Sequence, residues 1–408
     1  MPTAHLQPLY LRAAHLFNGT SGALLADAAV VVEGDRIIQV GTRLPVPPGA
    51  RVVDLGERTL MPGMIDAHTH LTLHAGPWDQ QVLRESSEFR AIAGTVTAAA
   101  TLRAGITTIR DVGNEGSGGA DIALREAIAA GLVPGPRMLT AIQPLVTSGA
   151  YRFGGLAPEA RPPVLALEAD GPDALRAGVR ELIARGADLI KVYLDCGRKP
   201  QGSPLPSALT YAQPELDAIV QEAHRAGLRV AAHAITDPGV RMGIRAGVDS
   251  IEHGQYVEAE TFRMMAAQGI TYVPTLLVYE LWAAQPELMG MPRSKAQLEE
   301  KVAHHHASFR RALEAQVRIA FGTDLFVLPG ANPRELASMV RLGLPPVDAL
   351  RAATSVSAAL LGLDRLVGSL EPGKAADIIA VPGNPVEDIT AVERTAFVMK
   401  GGAVFLAC

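Results

Sequence analysis

MPGMIDAHTHL, residues 61–71, is an apolar run that ends in two histidines at spacing two, His68 and His70. In a strand, side chains i and i+2 share a face. The two imidazoles can therefore grip one metal ion from the end of a strand. Two ligands do not complete a coordination sphere, so others must come from elsewhere in the chain.

Downstream of this run, short apolar segments alternate with amphipathic helical patterns. After the strand at 64–67 comes a long helix through Glu88–Ala104, then GITTIRDV (105–112) as a second strand and a helix across Asp121–Ala130. PRMLTA (136–141) is a third strand, and a helix at Pro172–Arg185 precedes the fourth, ADLIKVYLD (187–195). A helix at Gln213–Ala226 leads to LRVAAHA (228–234). GVDSIEHG (247–254), GITYVPTL (269–276) and VRIAFGTD (317–324) follow as strands six to eight. Several helices stop at a glycine, as at Gly105, Gly227 and Gly247, the expected C′ residue. Eight strand–helix units with right-handed crossovers predict an α/β fold of the (β/α)8, TIM-like type. A doubly wound open sheet is the alternative.

Both ends of the chain read differently. Residues 8–60 hold short strands, with AVVVEGDRIIQVG (29–41) as a hairpin. ADIIAVPGN (376–384) and AFVMKGGAVFLA (396–407), with a turn at Gly401-Gly402, are similar in kind. The expectation is one small β-sandwich built from residues 1–60 and 366–408, enclosing a barrel of residues 61–365.

With 48% hydrophobic and 19% charged residues, the 408-residue chain can bury a large core. A net charge of −5 gives no electrostatic reason to expect nucleic acid or an anionic membrane as partner. Two cysteines, Cys196 and Cys408, make no disulfide framework. The N-terminal residues show no basic leader followed by an apolar segment, and no apolar run reaches about 18 residues. A cytoplasmic protein acting on a small molecule is expected.

In barrels, chemistry sits at the C-terminal strand ends. Those ends carry His68 and His70, Lys191, His233, His253 and Asp324. Each follows a β-rich apolar run, where an unpartnered polar group is costly. Singly, each has a plain structural explanation: a hydrogen-bonded histidine, a salt-bridge lysine, an aspartate cap. Six at one rim point instead to a shared site.

The motifs PGMIDAHTH, IKVY, AAHA, IEHG and FGTD, with the tail LVGSLEPGKAADIIAVPGNPVEDI, resemble the metal-dependent amidohydrolase superfamily over nearly the whole chain. The branch they look most like is the imidazolonepropionase-like and prolidase-like one, which includes dipeptidases. That resemblance implies two divalent ions, most simply zinc. His68, His70 and Asp324 would hold one ion, and His233 with His253 the other. Lys191 would bridge both as an N6-carboxylate, and Asp324 would also be the catalytic proton acceptor. The implied reaction is hydrolysis of an amide in a dipeptide or N-acyl amino acid. A cyclic amide or lactone is the alternative substrate, and an inactive metal-binding scaffold the alternative outside enzymes. Relatives commonly self-associate, so the resemblance also implies a homo-oligomer.

Where many relatives carry a glycine-rich TGGH-like segment, this chain has LVTSGAYRFGG (145–155). Tyr151 can hydrogen-bond a carbonyl there, and Arg152 can pair with a carboxylate. Tyr193, two residues after Lys191, is a third candidate for binding substrate. Ile235, two positions after His233, has no polar handle, which weakens a specific Xaa-Pro assignment. His304-His305-His306 lies in a helical stretch where neighbours face different ways, so the three cannot serve one ion. His74 reads as a supporting or an exposed residue, and His15 and His224 read as structural. Cys196 has no sequence mark of a nucleophile.

Overall fold

The computed structural model describes residues 7–153, 157, 159–196, 206–289 and 294–407. Cys408 and part of the 145–155 segment lie outside the described residues. Parallel ladders run from Met64–Thr69 to Ile106–Asp111 and on to Arg137–Thr140. A second arc runs from Ile190–Tyr193 through Val230–Thr236 and Ser250–Tyr256 to Thr271–Val273.

Two seams join the arcs. On one side the Asp188 amide donates to the Thr140 carbonyl at 2.8 Å. On the other, residues 318–321 lie between the seventh strand and the first. The Tyr272 amide donates to Arg318 at 2.8 Å, Ala320 to Tyr272 at 2.9 Å, and Ala67 to Phe321 at 2.9 Å. Eight segments thus close a ring, the expected (β/α)8 barrel and not an open sheet.

Helices pack outside by apolar stripes. Pro172–Ala184 starts with proline at its first turn, where no amide is needed. It buries Leu175, Gly178, Val179 and Leu182 at the i, i+3, i+4, i+7 spacing of one helix face. Each fully buried leucine or valine contributes about 1.5–3 kcal/mol of transfer free energy. Gly247 ends the helix Asp237–Ala246 in the left-handed conformation, φ +82°, as the Ala-Gly pattern predicts.

Three details depart from expectation. The helix expected at Glu88–Ala104 forms as Ser87–Arg103, capped by Ser86 through the Phe89 amide at 3.2 Å, but a further short helix, Trp78–Arg84, precedes it. The seventh strand stops at Val273, since Thr275 takes φ +52° and turns the chain into the helix Leu276–Ala284. Two-residue strands at Leu145–Val146 and Leu167–Glu168 extend the fourth-strand edge, too short to leave a periodic signal.

Strands from both ends form one eight-stranded sheet. Arg58–Pro62 pairs antiparallel with Ile378–Pro382, which joins the N-terminal and C-terminal strands. Leu11, Val30, Ile37, Leu60, Ile378 and Phe397 belong to its separate core. The strand Arg58–Pro62 passes through Gly63 directly into the first barrel strand, so the small sheet anchors the strand that carries His68 and His70.

Candidate metal centre

His68 and His70 stand at the end of the first barrel strand, Lys191 within the fourth, His233 in the fifth and His253 in the sixth. Asp324 follows the eighth segment. The structure brings this set together. Rings of His68 and His253 are 4.9 Å apart, and those of His233 and His253 are 4.6 Å apart. His70 Nε2 lies 3.3 Å from Asp324 Oδ1. His68, His253 and Asp324 each present one ligand atom within 4.8 Å of the others, a candidate His/Asp metal site. His253 and Asp324 have φ of +74° and +53°. Left-handed backbone at two non-glycine residues is strain of the kind that persists where a site requires it.

Three partners orient three of the imidazoles. His68 Nδ1 donates to Glu252 Oε2 at 2.7 Å, and Glu252 Oε1 accepts from Arg110 Nη2 at 2.7 Å and Ser250 Oγ at 2.5 Å. His70 Nδ1 donates to the Gly113 carbonyl at 2.7 Å. His253 Nδ1 meets Thr275 Oγ1 at 2.8 Å. With Nδ1 engaged, Nε2 of each is left for a ligand bond, the usual arrangement around metal-binding histidines. Asp66 clips the first strand to the eighth: its carboxylate accepts from the His68 and Thr323 amides, Thr323 Oγ1 and Asn332 Nδ2, at 2.7–3.1 Å. Burial raises the Asp66 carboxyl to about 6.

Electrostatics fit a cation. Burial, reinforced by the Lys191 charge, holds His68 and His233 well below the ordinary imidazole pKa. His253 is lowered by burial and by its neighbours His233 and His68. Neutral imidazole is the form that binds metal. For His70, burial opposes the charge, but Asp324, Glu115 and Asp111 outweigh it and raise the pKa to about 9. A divalent ion would take the place of that proton between His70 and Asp324. Lys191 is fully buried, and burial lowers its pKa to about 8. Its Nζ has no hydrogen-bond partner among the described residues.

The histidines open into a cavity of about 270 Å³, lined also by Trp78, Glu115, Tyr151, Tyr193, Tyr279 and Trp282. Tyr151 and Tyr193 both line it, stacked at 4.6 Å, with the Tyr193 ring 4.7 Å from His233. Arg152 does not reach it. Its guanidinium pairs with Glu168 and is largely exposed, so that pairing, and not a substrate carboxylate, holds its charge. Arg152 lines instead a larger cavity of about 500 Å³ beyond Tyr151, which contains none of the six rim residues.

Cys196 borders the histidine cavity, but burial pushes its thiol up to about 11, unsuited to a nucleophile. His305 is buried against Tyr279, His306 pairs with Glu280 and His304 packs on Tyr256, so the triplet divides as expected. His74 pairs with Glu85, and His224 with Asp249. Glu115, Glu252 and Arg110 escaped the sequence reading. Charges inside apolar strands were the available signal for Glu252 and Arg110, whereas Glu115 sits in an aperiodic glycine loop.

The amidohydrolase family profile matches residues 59–404, which include the whole barrel and the part of the small sheet that flanks it. The chain belongs to the amidohydrolase family. Ochratoxinase from Aspergillus niger is 30% identical over 94% of this amidohydrolase and 84% of its own length. The crystal structure of a Xaa-Pro dipeptidase with methionine in its active site is similar at a TM-score of 0.89. It shares 32% identity, covering 98% of this chain and 99% of that one. A prolidase complexed with N-methylphosphonate-L-proline has a TM-score of 0.87 and 31% identity, over 98% and 99% of the two chains. The protein is an amidohydrolase-family enzyme of the imidazolonepropionase-like and prolidase-like branch, a hydrolase of carbon–nitrogen bonds. Among the described residues no helix is long and apolar enough to cross a membrane.

Proposed function

We propose that this amidohydrolase is a dinuclear metal enzyme that cleaves the amide bond of a dipeptide or an N-acyl amino acid. The observation that carries the reading is Lys191: a fully buried amine, lowered toward neutrality, without a hydrogen-bond partner among the described residues, at a rim of four histidines and Asp324. An unpaired ammonium is costly there. A neutral amine can add CO2, and the N6-carboxylate so formed offers two oxygens. His68, His70 and Asp324 would then hold one ion, His233 and His253 the second, and carboxylated Lys191 both, with zinc the proposed metal.

Such ions, when bound, polarise a carbonyl and acidify water. The chain supplies the rest. Asp324 is partly open to the cavity, and its amide donates to the His68 carbonyl at 2.7 Å, which fixes the side chain's origin. Its carboxylate accepts the proton of the attacking water and returns it to the leaving nitrogen. Trp78, Tyr279 and Trp282 give the cavity apolar walls. The likeness to a Xaa-Pro dipeptidase and a prolidase supports a dipeptide substrate. Ile235, with its amide held by Asp195 at 3.0 Å, adds no polar group for proline selection.

Protein reconstituted with zinc and bicarbonate should hold about two ions per chain and hydrolyse members of a dipeptide and N-acyl amino acid library. The Asp324→Asn variant should lose about 100-fold or more in kcat. A ¹³C-carbamate resonance should form with labelled bicarbonate and vanish in Lys191→Ala. Turnover of cyclic amides or lactones alone, or failure to retain metal, overturns the reading.

A further inference from the structure

Glu115 faces the histidine cavity from the loop after the second strand, between Gly113 and Gly116, with left-handed backbone at φ +48°. Oε2 accepts from Tyr151 Oη at 2.8 Å and from Trp78 Nε1 at 3.2 Å. Oε1 accepts from Tyr193 Oη at a long 3.4 Å. His70 Nδ1 lies 4.0 Å from Oε1, but its proton is given to the Gly113 carbonyl. A carboxylate oxygen accepts two or more hydrogen bonds, so Oε1 retains capacity on the cavity side. The Arg90 guanidinium is directed at the backbone carbonyls of Glu115 and Asn114, at 2.6 and 3.1 Å, and not at this carboxylate. The surrounding wall of Trp78, Tyr151 and Tyr193 offers π faces that suit a cation. No lysine or arginine lines the cavity among the described residues.

We propose that Glu115 is the specificity-determining residue that binds the free α-ammonium of a dipeptide, so that the enzyme takes unblocked peptides in preference to N-acyl amino acids. The inference rests on the amide-hydrolase reading above. Its position supports it: an α-ammonium nitrogen is two bonds from the scissile carbonyl carbon, and Oε1 lies beside the His70 ring at the edge of the ligand cluster. Tyr151 and Trp78 hold the carboxylate by Oε2, so that Oε1, with only the long Tyr193 contact, is the oxygen that meets the substrate. An N-acylated substrate brings a neutral amide to this position and leaves the carboxylate without a cationic partner.

The test compares a dipeptide having an aromatic N-terminal residue with its N-acetylated form, on wild type and Glu115→Gln. A charge-assisted hydrogen bond predicts a wild-type preference for the free amine of about 10- to 100-fold in kcat/KM. Glu115→Gln should remove most of that preference by losing rate on the free dipeptide, while the acetylated form changes less than about 3-fold. Tyr151→Phe, which keeps the carboxylate and deletes one of its donors, should retain the preference ratio. Equal losses on both substrates in Glu115→Gln would show a structural role and overturn the proposal, as would a wild type indifferent to acetylation. Calorimetric binding of L-phenylalaninamide against N-acetyl-L-phenylalaninamide reads the same preference without turnover. Preferential binding of the free amine without hydrolysis of any peptide leaves the ammonium site standing and removes the proposed reaction. Equal binding removes the site.

Discussion

Lys191 faces a hard chemical problem: it is a primary amine with zero exposure and no hydrogen-bond partner among the described residues. Its neighbours make the problem a specific one. Arg110 and Glu252 form a buried ion pair across the barrel interior, and the same Glu252 orients His68. Glu252→Gln should therefore weaken metal binding about 10- to 100-fold, read by competition with a chromophoric chelator. An unchanged affinity would contradict the orienting role. The substitution also leaves the Arg110 charge buried without its partner and should destabilise the fold by about 3–5 kcal/mol in urea titrations. The six rim residues were legible because each ends an apolar run at a predictable place in a repeating unit. Arg110 and Glu252 were not, because their pairing needs the knowledge that strands two and six face each other across a closed ring. Glu115 was hidden for another reason: nothing periodic surrounds it, and its role depends on Tyr151, Tyr193 and Trp78 arriving from three separate segments. Arg152 shows the converse, since a plausible anion receptor was already paired with Glu168, sixteen residues later in the chain.

At the scale of elements, the seam between the first and eighth segments controls the site. Gly322 lies where an added Cβ would sit 2.3 Å from a Val273 methyl and 2.9 Å from the His68 Cβ. Gly322→Ala should overpack that seam, cost about 1–3 kcal/mol in stability, and displace His68 enough to lower metal content. Urea titration and metal analysis of the purified variant check both effects, and normal values for both would refute the close packing. Elsewhere three helices meet at Glu280, which accepts from His306, Ser338 and Arg341. Burial opposes the Glu280 charge, but these hydrogen bonds, that of His306 foremost, bring its pKa to about 2. A depressed carboxylate pKa stabilises the fold above the unfolded value of 4.5 and loses that contribution as pH falls toward 2. With Arg341 half exposed, the contribution is discounted to about 2 kcal/mol. The stability gap between wild type and Glu280→Gln should be full at pH 6 and shrink steadily between about pH 4.5 and 2.5. A gap independent of pH would exclude the ionised contact.

For the whole molecule, the alternation of apolar runs and amphipathic helices was enough to anticipate a closed barrel and a small β unit built from both ends. Sequence could not show that the strands of that unit share one hydrogen-bonded sheet, because pairing partners so distant in the chain leave no local trace. The seam between Arg58–Pro62 and Ile378–Pro382 makes the two ends interdependent. A chain ending at residue 365 would lose Leu370, Ile378, Phe397 and Met399 from the sheet's core. Such a truncation should be recovered as insoluble or uncooperatively unfolding protein, and a soluble product with native near-ultraviolet dichroism would contradict it. The same seam sets a timetable during synthesis. More than 300 residues separate Pro62 from its partner Ile378, so at about 5–20 residues per second the strand beside the first barrel strand leaves the ribosome roughly 15–60 seconds before its mate. Through that interval an unpaired β edge stands exposed beside a barrel still being made, and it is in this window, rather than in the finished enzyme, that a chaperone would have the most to protect.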